Sequence, residues 1–177
     1  MPMRLLDHDS YIIDEKLFTV RNTLIIKSED GREVGRAVAK LFSISGEMNL
    51  YDAESNVVGI VKGKLFSVRP TYTLHDHTGY QVATVKGKLF ALRPSYQIED
   101  ARGNVICRLE GDVLRREFEV KDAKGNVAAK VTRKLFSLRD HCTLKIHGMD
   151  PLLALLTLLA INMDVLKCRR ASASASS

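Results

Sequence analysis

The tripeptide Lys-Leu-Phe begins at Lys16, Lys40, Lys64 and Lys88, each copy 24 residues after the one before. A fixed period of that size means one supersecondary unit copied in tandem, and such units bury their apolar faces against their neighbours. A fifth register opens at Asp112, where the motif reads Asp112-Val113-Leu114, and a sixth at Lys134, 22 residues further on. Six units then span roughly Glu15 to His147, and a segment of different character follows.

Each unit carries a turn signal in its middle. Asp76-His77-Thr78-Gly79, Asp100-Ala101-Arg102-Gly103 and Asp122-Ala123-Lys124-Gly125 share the pattern D-x-x-G, with weaker versions at Ser28 to Gly31 and Asp52 to Asn56. Asp bonds the backbone ahead of it, and Gly takes the left-handed conformation that returns the chain. Ahead of each turn runs a short alternating stretch: Leu24 and Ile26, Met48 and Leu50, Tyr72 and Leu74, Tyr96 and Ile98, Phe118 and Val120, Cys142 and Leu144. Period-two alternation predicts half-buried strands, so each unit is a hairpin and six hairpins give about twelve antiparallel strands.

Beyond the turn, the inward parity falls on Gly35, Gly59, Ala83, Cys107 and Ala129, then on Ala39, Gly63, Gly87 and Gly111. Two levels of small residues predict that something thick lies against the strands, since a bare surface would leave voids. The C-terminal segment supplies the object. Asp150 is placed to cap a helix and Pro151 to open it. Leu152 to Ile161 is apolar all round except for Thr157. A helix of that kind is either buried or membrane-spanning, and its uninterrupted run is about half of the ~20 residues a span needs. A core helix over about 151–166 is therefore expected. Twelve strands enclose a space between the filled eight-stranded barrel and the open sixteen-stranded channel, wide enough for a helix roughly 10–12 Å across. The expected fold is mainly β: a closed antiparallel barrel of about twelve strands around its own C-terminal helix, in one domain of residues 1–168. Residues 169–177, basic and then Ala-Ser, read as a disordered tail.

Repeated K-L-F-S hairpins at Lys40 to Ser43, Lys64 to Ser67 and Lys134 to Ser137, the stretch RLEGD (Arg108 to Asp112) leading to EFEVKD (Glu117 to Asp122), and the helix LLALLTLLAI together resemble the LURP-one-related proteins. These belong to the wider group of tubby C-terminal domains and phospholipid scramblases. The resemblance covers nearly the whole chain and implies the same barrel-around-helix fold. In that group tubby domains bind phosphoinositides through basic residues outside the barrel, scramblases are associated with calcium-dependent lipid movement, and some plant members with defence. The chain has neither the proline-rich extension nor the cysteine-rich stretch of scramblases, and no carboxylates at EF-hand spacing, so lipid scrambling is not expected.

Lys plus Arg total 27 against 21 Asp plus Glu, a net charge of +6, which permits an anionic partner without requiring one. Three cysteines fit a reducing compartment, and no charged start with an apolar run precedes Tyr11, so a cytoplasmic monomer is expected. The most suggestive surface feature is a belt of outward-parity lysines recurring at matching places: Lys62 and Lys64, Lys86 and Lys88, Lys130 and Lys134, with Lys40 and Arg108 nearby. Such a belt would either attract anionic headgroups or serve only as a solvated face.

Other constellations are weaker. Arg69-Pro70 and Arg93-Pro94 fix turns after the motif. His75 and His77 point the same way in an extended strand, but Asp76 between them belongs to the turn pattern, so no metal site is expected. Arg133 takes the register of Gly63, Gly87 and Gly111, and Glu15 the same register in the first unit. The two either pair at a barrel end or are turned outward by a bulge. Arg169-Arg170-Ala171-Ser172 resembles a basophilic kinase site. Glycine-rich phosphate loops, nucleophile elbows, H-E-x-x-H and paired carboxylates outside turns are all absent, so neither enzyme activity nor a cofactor is expected. Tyr72, Tyr96 and Phe118 point inward, which argues against a nucleic-acid stacking platform. The reading is a binding module for anionic phospholipid or phosphoinositide, with a protein-interaction scaffold as the alternative.

Overall fold

The computed structural model describes residues 4–15, 22–88, 95–112, 117–136 and 139–176. Twelve strands follow one another around a closed barrel: β1 (Ser10–Glu15), β2 (Thr23–Ser28), β3 (Glu33–Ala39), β4 (Glu47–Asp52), β5 (Val57–Gly63), β6 (Thr71–Asp76), β7 (Gln81–Gly87), β8 (Tyr96–Glu99), β9 (Val105–Asp112), β10 (Glu117–Asp122), β11 (Val127–Phe136) and β12 (Arg139–Ile146). Each pairs antiparallel with its chain neighbours, and β1 closes the ring against β12, with Ile13 opposite Cys142. The strand number is the expected one, but the sixth hairpin is assembled differently. Its returning strand is β1, from the N-terminus, because after β12 the chain turns into the helix.

The Asp-Gly turns act as read from the sequence. One oxygen of Asp76 accepts from the amides of Thr78 (2.8 Å) and Tyr80 (3.1 Å), while Gly79 sits at φ +87°. Asp100 and Asp122 repeat the arrangement. In the hairpins from β2–β3 to β10–β11 the register slips by one residue beside the turn, leaving Val34, Val58, Val82, Ile106 and Ala128 unpaired as bulges. Bulges sharpen strand twist, which suits closure of a small barrel.

The inward residues fill the interior: Ile26, Leu50, Leu74 and Ile98 are fully buried, and so is Leu144 at 1 % exposure. Helix α1 (Pro151–Ala175) runs up the middle, capped by Asp150, which accepts from the Leu153 amide at 2.9 Å. Leu155, Leu156, Leu159, Ala160 and Ile161 are enclosed by the strands, so the one helix among the described residues that is long and apolar enough to cross a membrane spends that surface on the barrel wall. Gly59 marks a close approach. A Cβ there would lie 3.0 Å from Leu152 and from Leu156. The second level of small residues meets mixed neighbours: a Cβ at Gly63 would meet the Ser45 carbonyl and, at 3.2 Å, the ammonium of Lys167 on α1, while those at Gly87 and Gly111 would meet the Pro70 ring and the Glu117–Phe118 backbone.

The C-terminus departs from expectation. The segment read as a disordered tail continues α1 to Ala175, although the side chains from Arg170 to Ser176 are exposed. A helix already nucleated inside the barrel extends at little cost, Ala is the best helix former, and Ser172 and Ser174 bond back to the carbonyls of Cys168 and Ala171. Ser172 of the kinase-like string therefore lies on a helix.

Candidate functional site

The two ends of the barrel differ in charge because the repeat alternates its connections. Asp52, Asp76, Asp100 and Asp122 all stand at the end where α1 begins. The Lys-Leu-Phe connections stand at the other, where α1 emerges. There Lys40, Lys64 and Lys88 each donate their amide across the loop to the carbonyl of Glu47 (2.8 Å), Thr71 (2.9 Å) and Ser95 (2.9 Å). One clamp recurs in three successive units. Since equivalent positions are two strands apart, the three lysines are spaced at about 10 Å along the rim.

The structure divides the expected belt. Lys86 reaches Glu99 at 2.6 Å and Lys130 reaches Glu117 at 2.5 Å, both diagonal cross-strand pairs. Lys40 lies 3.4 Å from Glu47. These charges are compensated locally. Lys62, Lys64 and Lys88 are exposed, and among the described residues no carboxylate lies within ion-pair distance of them. The side chain of Lys134 lies outside the described residues. What remains of the belt is a short arc at one end, not a girdle.

Beneath that arc sits a buried carboxylate. Asp164 of α1 is 7 % exposed and accepts from the Tyr72 hydroxyl at 3.0 Å and the Tyr96 hydroxyl at 2.7 Å. The two tyrosines are 24 residues apart, the same place in successive units. Burial and the Asp164 carboxylate push both phenols well above their ordinary range, so they act as donors throughout. One turn on, Lys167 donates to the Ser45 carbonyl at 2.7 Å and lies 5.1 Å from the centre of the Tyr72 ring. The end of α1 is thus bolted to β6, β8 and the β3–β4 loop.

Glu15 and Arg133 line one cavity at this end, with Ile13, Leu24, Leu158 and Asn162. They face the same space without forming an ion pair; Arg133 stands opposite Cys142 across β11 and β12, and burial pushes that thiol up to about 11. His75 is engaged locally by the Gly79 carbonyl (3.1 Å) and Thr73 (2.9 Å). His141 contacts Asp14, which also holds Lys27 at 2.7 Å.

The family profile described as LURP-one-related matches residues 10–162, which is every strand and most of the buried part of the helix. The chain belongs to the LURP-one-related family. Among solved structures, the X-ray structure of a protein from Arabidopsis thaliana superposes with a TM-score of 0.62 at 14 % identity, over 89 % of this chain and 91 % of that one. At that identity the likeness speaks for the fold alone. No curated protein matches the sequence.

Two features of this LURP-one-related barrel escape a reading of the sequence. Asp164 is legible there only as the end of an apolar run, because nothing local shows that two tyrosines about 70–90 residues earlier in the chain aim at it. The Leu and Phe of the motif stand out in the sequence only as repeat markers, yet Phe42 and Phe66 are fully exposed.

The paired lysines predict an acid response. Burial works to raise the Glu99 carboxyl, but bonds from Lys86 and Gln97 outweigh it and hold the group below its ordinary range. A depressed carboxylate stabilises the fold above its unfolded value of about 4.5 and loses that contribution as pH falls through the folded value. Glu99→Gln is expected to lower the melting temperature at pH 7 while flattening its fall between about pH 5 and 3. A parallel decline in both proteins would mean that Glu99 does not drive it.

Proposed function

We propose that this LURP-one-related barrel is a non-enzymatic module that docks reversibly on anionic phospholipid or phosphoinositide headgroups, at the cytoplasmic face of a membrane. The observation that carries the reading is the arc of Lys62, Lys64 and Lys88, exposed and, among the described residues, without a carboxylate partner, while Lys86, Lys130 and Lys40 have one. A charge already balanced on the protein gains little from a second anion. A free one near an anionic leaflet contributes about 1 kcal/mol, so three give roughly a hundredfold in partitioning, weak enough to remain reversible.

Co-sedimentation with vesicles tests this. The protein is expected to follow phosphatidylserine- or phosphoinositide-containing vesicles and to ignore phosphatidylcholine alone. The triple variant Lys62→Glu, Lys64→Glu, Lys88→Glu is expected to stay in the supernatant, whereas Lys86→Gln and Lys130→Gln keep most of the binding. Absence of binding at physiological salt leaves the lysines as a solvated face and favours the protein-interaction reading.

A further inference from the structure

We propose that the Lys-Leu-Phe loops after β3 and β5 are apolar fingers that enter the bilayer, so that the barrel docks on its end, with α1 pointing at the membrane, and not on its side. The proposal rests on the membrane reading above and adds the part of the surface that goes in. Eight large hydrophobic side chains are exposed among the described residues, and six of them occupy two loops of one rim. In the β3–β4 loop Leu41 is 38 %, Phe42 100 % and Ile44 87 % exposed; in the β5–β6 loop Leu65 is 54 %, Phe66 100 % and Val68 88 % exposed. The remaining two, Val57 and Tyr80, stand singly at the opposite end. Single apolar residues scattered over a surface are ordinary, but a cluster of this kind marks an interaction surface.

Folding gives no account of these side chains, yet the repeat copies them. Lys-Leu-Phe, one small or hydroxyl residue, then Val, Ile or Leu reads KLFTV from Lys16, KLFSI from Lys40, KLFSV from Lys64, KLFAL from Lys88 and KLFSL from Lys134. In both described loops the tip is uncovered at the second, third and fifth positions of the motif. The tips are also braced. Phe42 sits at φ +66°, a conformation that bulky residues rarely adopt, and it is held there while its ring touches solvent. The amide clamps close both loops, Lys167 holds the Ser45 carbonyl beneath the first, and Ser67 contacts Thr71 and the Arg69 carbonyl beneath the second.

The occupant is argued from charge and shape. The second finger has the exposed Lys64 at its base, with Lys62 and Lys88 beside it; the first has Lys40, which is paired with Glu47, and the acidic turns lie at the far end. Protruding tips on a rim, ringed by cations, fit an anionic plane; aromatic and aliphatic groups settle at the acyl boundary while the ammonium groups stay at the phosphates. A partner protein with an apolar groove would need no lysines at the bases of the fingers.

The chain contains no tryptophan, so one introduced at a tip is the only indole. Phe42→Trp, Phe66→Trp and, at the opposite end, Tyr80→Trp are compared on phosphatidylcholine–phosphatidylserine vesicles, with and without acyl chains brominated near the headgroup. The two tip variants are expected to shift to the blue and to be quenched by bromine, and Trp at position 80 to change in neither respect. Phe42→Ser with Phe66→Ser is expected to weaken vesicle binding about tenfold or more at unchanged circular dichroism. A protein that co-sediments while its tip tryptophans stay water-like overturns insertion and leaves docking standing. Failure to co-sediment overturns both. A blue shift that grows with protein concentration in the absence of lipid assigns the tips to a second copy of the chain and overturns the proposal.

Discussion

Asp164→Ala is expected to lower stability by about 3 kcal/mol. The loss follows from the two buried hydroxyls left behind, since an unsatisfied buried donor costs ~1–3 kcal/mol. Relief of the carboxylate's own burial offsets part of it. Tyr72 and Tyr96 are 2 % and 4 % exposed, so water cannot replace the missing acceptor without opening the barrel end. Asp164→Asn keeps one acceptor and should fall between wild type and Ala. From the other side, Tyr72→Phe or Tyr96→Phe alone leaves the carboxylate one donor, at about 1–2 kcal/mol each, whereas the double change strands a buried charge. The double variant is therefore expected to cost more than the sum of its parts. Urea unfolding curves for wild type and these variants decide it. Additive tyrosine effects below about 1 kcal/mol in total would mean that Asp164 is solvated at that end and does not bolt the helix to the wall.

That network shows where a sequence stops being legible. The barrel can be read because its information is periodic: 24-residue spacing gives the unit, alternation gives the strands, and D-x-x-G gives the turns. Gly59 is readable as a close approach because an inward strand position without a side chain leaves a void unless a neighbour comes in to fill it, and Leu152 and Leu156 are what it meets. The same logic overreaches at Gly87, where the neighbour is the Pro70 ring, since parity tells which face a residue points to but not what stands there. The lysine belt fails for a related reason. Repeat position aligns the lysines in the sequence, while the carboxylates that pair with Lys86 and Lys130 come from a neighbouring strand on a diagonal that depends on register. Closure itself is expected from the sequence, but that β1 supplies the closing strand against β12 is hidden, because no local pattern marks a strand that completes another unit's hairpin.

Leu156→Ala carries the other large effect, and its partner across the interface makes it diagnostic. Leu156 is fully buried at the barrel axis, and truncating such a leucine costs ~2–5 kcal/mol, the upper part of that range where the surroundings cannot collapse. Twelve hydrogen-bonded strands in a closed ring cannot move inward one at a time, so about 4 kcal/mol is expected. Gly59→Ala acts in the opposite sense. Its new methyl would stand 3.0 Å from the tips of Leu152 and Leu156 and 3.1 Å from the His75 carbonyl, a crowding worth ~1–2 kcal/mol because only the leucines can yield. Combined, the methyl at position 59 enters the space that Leu156 vacates. The double variant is then expected to be more stable than the sum of the single losses predicts, by roughly 1 kcal/mol, read from denaturant midpoints at constant slope. Strict additivity within about 0.5 kcal/mol would show that the two sites do not share a contact, and the small residues on the strands would then owe their place to something other than the helix.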